Sequence, residues 1–202
     1  MTENSVNIDQ TVIVAGWAQD IKNGDAGSFE KLFNHYCQSL INFSRRYVWD
    51  KQIAENIVQD IFVRVWTNRS NLDPSKSIKS YLFTSVKNES LKHLRHLDVE
   101  QRSVEKIAQS TIEENSPDRN LDRSELEENI KHAISELPEK CREIFSMSRF
   151  DNLKYAEIAE ILDISVKTVE TQMGRALKKL RDRLKPFLII LLSLTSIIYF
   201  SL

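Results

Sequence analysis

The chain has 202 residues, 41% of them hydrophobic and 28% charged, with a formal net charge of −1 at pH 7. That length accommodates one large domain or two small ones with real cores, and the composition is that of an ordinary soluble globular protein. Four glycines, four prolines and few alternating β-branched runs favour a mostly helical chain and offer no glycine-rich phosphate loop.

Charge distribution says more than net charge. Lys76 to His96 carries five Lys/Arg against one acid, and Lys154 to Pro186 carries eight against five. Between them, Asp98 to Glu128 holds ten acids against four bases. Two basic segments around an acidic one suit two nucleic-acid contacts flanking a connector; they suit solvated helix faces equally well. Cys37 and Cys141 lie far apart, and the polar N-terminus lacks the pattern of an export signal. Free thiols in a reducing cytoplasm are therefore expected. His93 and His96 share a helix face, but nothing completes a ligand set, so neither metal nor cofactor is expected.

In chain order, "GDAGSFEKLFNHYCQSLINFSRRYV" follows a Gly-Asp turn and is apolar at Phe29, Leu32, Phe33, Tyr36, Leu40, Phe43 and Tyr47, a helical period. "DKQIAENIVQDIFVRVWTNRSNL" repeats it with Ile53, Ala54, Ile57, Ile61, Val65 and Trp66 on one stripe. Asn56, Gln59 and Asp60 fall on the opposite side, as a compact acidic and amide patch that either docks a partner or faces water. A third helix follows Pro74, from Ile78 to Leu97. It sets Tyr81, Ser85, Asn88, Lys92 and Arg95 along one face, with Leu82, Val86 and Leu94 inward. An aromatic ring and an amide interleaved with cations suit single-stranded nucleic acid; a solvated face with one stray tyrosine is the plainer reading.

From Asp98 to Asp122 the periodicity is lost, and the acidic, Ser-Pro-containing stretch reads as a linker. Periodicity resumes with two helices separated by Pro138, and a turn at Asp151-Asn152. "YAEIAEILDISVKTVETQMGRALKKL" then reads as helix, tight turn, helix. Ile158, Ala159 and Leu162 form the inner face of its first helix. Ile164 points inward from the turn, Ser165 caps the next helix, and Val169, Met173, Ala176, Leu177 and Leu180 seat it. Lys167, Thr168, Glu170, Thr171, Gly174, Arg175 and Lys178 form a short, polar opposite face. That spacing is a helix-turn-helix, whose second helix enters the DNA major groove, with Lys167, Thr168, Glu170, Thr171 and Arg175 placed to meet bases and phosphates. A generic αα-hairpin is the alternative.

The last sixteen residues, from Phe187, contain no charge. As a helix they would span about 24 Å, short of a hydrocarbon core of roughly 30 Å. Packing on protein, membrane insertion behind the basic stretch Lys178 to Lys185, and an unordered end all remain open. The fold expected is all-α, with a helical domain over 17–97, an acidic linker over 98–122, a helix-turn-helix domain over 123–186 and an apolar tail over 187–202.

"GDAGSFEKLFNHY", "AENIVQDIFVRVW" and "SYLFTSVKNESLKHLR" resemble region 2 of the sigma-70 family, extracytoplasmic-function group. "AISELPEKCREIFSMSRFDNLKYAEIAEILDISVKTVETQMGRALKKLR" resembles region 4, and "VKTVETQMGRALKKLR" with the tail resembles the iron-uptake type of Bacteroidetes sigma factors. The resemblance implies no enzyme. It implies an alternative sigma factor that binds core RNA polymerase and directs it to promoter DNA. By match, Asn56, Gln59 and Asp60 would dock the β′ clamp helices. Tyr81, Lys87, Asn88, Lys92 and Arg95 would melt and hold the minus-ten element, and Lys167, Thr168, Glu170, Thr171 and Arg175 would read the minus-thirty-five element. Region 4 would also sit on the β flap, and an anti-sigma regulator, in some settings membrane-bound, would be a partner. Lys154 stands where the family often has a Ser or Thr cap, and Glu170 where many relatives carry a base. The rival readings are a stand-alone helix-turn-helix regulator and a membrane-tethered interaction protein.

Overall fold

The computed structural model describes the backbone of residues 16–104 and 125–200, with side chains described over 16–97 and 128–185. Residues 105–122 of the linker expected over 98–122, and the side chains of the apolar tail, lie outside the described residues. Among the described residues every regular element is helical. They fall into two compact units, Met1–Ser110 and Thr111–Leu202.

Asx caps and glycine set the first unit. A short helix α1 over 16–22 ends at Gly24, whose φ of 95° is the left-handed conformation glycine adopts without steric cost. Asp25 then caps α2 (Ala26–Ser44), accepting from the Gly27 and Ser28 amides at 3.1 Å each. The Ser28 hydroxyl first, and these amides next, hold the Asp25 carboxyl below its usual range. Asp50 caps α3 (Lys51–Thr67) through the Ile53 amide at 3.0 Å. A 3-10 turn, Arg69–Asn71, leads to α4 (Ile78–Val104), where the Ser77 hydroxyl accepts from the Ser80 amide. α4 thus runs on past Leu97.

Of the predicted stripes, Leu32, Tyr36, Leu40 and Phe43 on α2, Ala54, Ile57, Ile61 and Val65 on α3, and Leu82 and Val86 on α4 are buried; Phe29, Phe33, Tyr47, Ile53, Trp66 and Leu94 are half-buried, and Val58 and Phe83 join the core. Phe43 and Phe83 meet edge to face at 5.0 Å and are fully buried. Each such ring contributes about 1.5–3 kcal/mol through burial alone. Phe29 and Phe33 of α2 close on Trp66 and Phe62 of α3, with centroids 5.0 and 4.9 Å apart. Behind them the Ser44 and Ser90 hydroxyls share a buried hydrogen bond of 2.9 Å.

The second unit contains α5 (Glu125–Ser135), α6 (Glu139–Arg149), α7 (Tyr155–Leu162) and α8 (Val166–Phe200). Pro138 separates α5 from α6, and Asn152 takes a left-handed φ of 51° in the turn before α7. Ala133, Leu137, Ile144, Met147, Ile158, Ile161, Val169, Met173 and Ala176 form the core. α8 continues through Pro186 as one helix of 35 residues. No helix among the described residues is long and apolar enough to cross a membrane.

Glu89 of α4 accepts from Arg64 of α3 at 3.0 Å and from Lys92 at 3.1 Å. Those bonds, Lys92's first, hold its carboxyl below the ordinary glutamate range. A depressed folded value stabilises above the unfolded one, and the contribution disappears as pH falls through the folded value. Urea unfolding at pH about 6 and about 3 should show a smaller acid-induced loss for Glu89→Gln than for the wild type.

Candidate nucleic-acid interface

Three helix faces are left over once the cores are made. On α3, burial of Ile57, Ile61 and Val65 turns Asn56, Gln59 and Asp60 outward, and all three are exposed. The Asn56 side-chain oxygen accepts from Gln52 at 3.1 Å. Val63 continues this face about one helical turn beyond Asp60 and is 63% exposed. The sequence reading missed it because only polar positions were sought on that side; the helical period itself placed it there.

On α4, Tyr81, Asn88, Lys92 and Arg95 are exposed along one stripe, with Ser85 half-buried. Tyr81 is 48% exposed, a ring whose polar end alone would not require so much water contact. Lys87 is half-buried and about 120° around the helix from that stripe. Glu89, bonded to Arg64, marks the flank facing α3. The structure therefore gathers four of the five residues in one line and sets Lys87 apart.

The α7–α8 turn positions the third face. Asp163 adopts the left-handed conformation (φ 54°, ψ 50°), and the amides of Asp163 and Ile164 return to the Glu160 and Ala159 carbonyls at 3.3 and 3.0 Å. This is a Schellman closure, with an aspartate where glycine is commonest. The Ser165 hydroxyl then accepts from the Thr168 amide at 3.0 Å and shares a 2.8 Å bond with the Thr168 hydroxyl. Ser165 is thus the cap that the sequence predicted. At the start of α7 the unusual Lys154 has no acceptor to offer. The Glu157 carboxylate closes that end instead, accepting from the Lys154 amide at 2.7 Å.

α8 seats itself through Val169, Met173, Ala176 and Leu180. Leu177 corrects the sequence expectation: it is 37% exposed, because Ala176, one residue earlier on the wheel, occupies the inward position. Likewise Ile161 is buried on α7 where Leu162 was expected, and Ile164 is only half-buried. Lys167, Thr168, Glu170, Thr171 and Arg175 are all exposed. Lys167 and Glu170 pair at 3.6 Å, and the Thr171 hydroxyl donates to the Lys167 carbonyl at 2.8 Å. A Cβ added at Gly174 would meet nothing within 4 Å, so no atom of the chain requires glycine on this face. The helix is held from behind by Cys141, whose thiol donates to the Gln172 side chain at 3.0 Å, and by an Arg183–Glu136 ion pair at 3.1 Å. The arrangement presents a short polar surface with cations at its edges, suited to base edges and phosphates.

Sigma-70 region 2 matches residues 32–99, and sigma-70 region 4 matches residues 127–180. The chain is 27% identical over 176 residues to the extracytoplasmic-function (ECF) sigma factor SigW of Bacillus subtilis, covering 83% of this chain and 94% of that protein. It is 26% identical over 179 residues to the sigma-H factor of Pseudomonas aeruginosa, covering 83% and 92%. Among solved structures it resembles CnrH in complex with the cytosolic domain of CnrY, with a TM-score of 0.57 and 20% identity over 86% of this chain and 98% of that one. The sigma factor RpoE in complex with NepR from Bartonella quintana gives the same TM-score and identity over 78% and 96%.

Removing the α8 cap tests the turn. Ser165→Ala should cost about 1 kcal/mol in urea unfolding, and Ser165→Asp should recover most of that loss.

Proposed function

The chain belongs to the sigma-70 family, in its extracytoplasmic-function group, as an alternative sigma factor directing transcription initiation, and from that premise we propose how its faces divide the task. Asn56, Gln59 and Asp60, with the apolar Val63 beside them, dock the β′ clamp helices of core RNA polymerase. The Tyr81–Arg95 stripe, joined by Lys87, holds the unpaired minus-ten strand, the ring stacking and the cations meeting phosphate. The α8 face reads the minus-thirty-five duplex, where Glu170 accepts from a cytosine amino group and Arg175 donates to guanine or phosphate. Region 4 sits on the β flap. The observation that carries this reading is that the region 2 and region 4 matches fall in separate units, and that the matched helices of each leave a polar face exposed. None of these roles requires covalent chemistry of the chain.

An anti-sigma regulator is a further proposed partner, supported by the similar sigma factor RpoE having been solved with the anti-sigma factor NepR. The site of action is then the cytoplasm, where the polymerase works. The uncharged tail, continuous with α8 to Phe200, serves as an attachment to that regulator or to the membrane that carries it. The α8 sequence and tail also support the iron-uptake type. Fractionation of the full-length protein beside a chain ending at Lys185 separates the attachments: a membrane role moves only the full-length chain to the pellet.

Transcription in vitro with core polymerase on a library of upstream fragments tests the whole reading, and new protein-dependent start sites are expected. Asp60→Arg should weaken polymerase binding by at least about tenfold through charge reversal in a docked face. Arg175→Ala should leave polymerase binding intact and weaken promoter use roughly five- to hundredfold. A chain that ignored polymerase but bound duplex DNA alone would instead be a stand-alone helix-turn-helix regulator.

A further inference from the structure

The corner between α2 and α3 carries a feature that neither the docking face nor the α4 stripe uses. Trp49 is 87% exposed, the most exposed of the large hydrophobic side chains among the described residues. A single exposed apolar residue needs no special account. This one differs in sitting on a well-built turn. The amides of Arg45, Arg46, Tyr47 and Val48 all return to α2 carbonyls, at 2.9 to 3.2 Å. Val48 is buried on one side of it, and Asp50 on the other is committed to capping α3. The backbone on both sides of Trp49 is thereby fixed.

Cations accompany the ring. Arg45 and Arg46 are exposed, and Arg46 lies over the Phe43 ring at 4.7 Å, so its guanidinium is positioned at the corner. The one acid of the segment 45–50 is the capping Asp50. The Ser44–Ser90 hydrogen bond and the Phe43–Phe83 contact pack the C-terminal end of α2, just before this corner, against the middle of α4.

We propose that Trp49, with the Arg45 and Arg46 guanidinium groups, is a second contact for unpaired DNA, stacking a base and meeting its phosphates beyond the α4 stripe. The inference rests on the sigma-factor reading and adds a site to it. Unstacked bases and backbone charge call for this pairing of an exposed indole with arginines. An acidic segment of a partner protein is the competing occupant, and the experiment separates the two.

Holoenzyme assembled from core polymerase and the full-length chain would be titrated with two probes. One is a promoter fork bearing a single-stranded non-template extension, and the other is the same duplex without it. Trp49→Ala should weaken binding of the extended fork roughly five- to hundredfold, with the duplex probe and polymerase affinity unchanged. Trp49→Phe should recover most of the loss, and Arg45→Gln should lower the salt dependence of the extended fork by about one phosphate contact. Unchanged binding of the extended fork by Trp49→Ala would overturn the proposal. So would a loss of polymerase affinity in that variant, which would make the corner a protein contact. Failure of the wild-type chain to bind polymerase at all would instead remove the sigma-factor reading, and this site with it.

Discussion

A helix advances about 100° per residue, so committing one stripe to a core commits the opposite stripe to water. The functional geometry of this chain descends from that constraint. Once Ile57, Ile61 and Val65 are buried, Asn56, Gln59, Asp60 and Val63 have nowhere to go but outward. Once Leu82 and Val86 are buried, Tyr81, Asn88, Lys92 and Arg95 align on the other side, and Val169, Met173 and Ala176 do the same for the polar face of α8. The α3 and α4 faces are backed by a core rich in aromatic contacts. A Phe43 ring edge-on to Phe83 tolerates little rotation of α2 against α4.

This constraint fixes which residues share a face; the turns fix where the face points. α8 is aimed by a three-residue corner in which Asp163 holds a left-handed backbone, and the Ser165 hydroxyl satisfies the Thr168 amide in the first turn of the helix. The aspartate costs something in that conformation, where glycine would not. Its own amide and the next one are repaid by hydrogen bonds to Glu160 and Ala159. At the other end of α7 a carboxylate three residues inside the helix does the work that a cap residue normally shares. Both solutions are local, and neither needs the residue type that the position usually carries.

The sequence made the faces legible because periodicity survives in it unmodified. All three polar stripes were readable, as were the Gly-Asp turn before α2, the Ser165 cap and the break at Pro138. What was not legible depended on a difference of one position or on the absence of a polar cue. Ala176 and Leu177 are adjacent, and both fit the inward arc; steric room behind the helix, which the sequence does not state, chose the alanine. Ile161 and Leu162 part in the same way. Val63 was overlooked because an apolar residue on a polar side reads as noise until its exposure is known. Trp49 lies in a turn, where no period applies, so nothing short of coordinates distinguishes an indole held out from one folded in.

The α8 face shows why an exposed, internally bonded surface remains available to a ligand. Lys167 and Glu170 pair at 3.6 Å with side chains 86% and 49% exposed, and such pairs contribute about 0–1 kcal/mol. Exchanging that bond for one to a phosphate or a base edge therefore costs little. The Thr171 hydroxyl is bonded to the Lys167 carbonyl and keeps acceptor capacity. Gly174 adds no side chain where the chain itself leaves open space, although glycine costs a helix interior about 1 kcal/mol relative to alanine. Stability alone would favour alanine there, as no neighbouring atom opposes it. The exposed face from Lys167 to Arg175 has its two cations at the ends, with Thr168, Glu170, Thr171 and Gly174 between them.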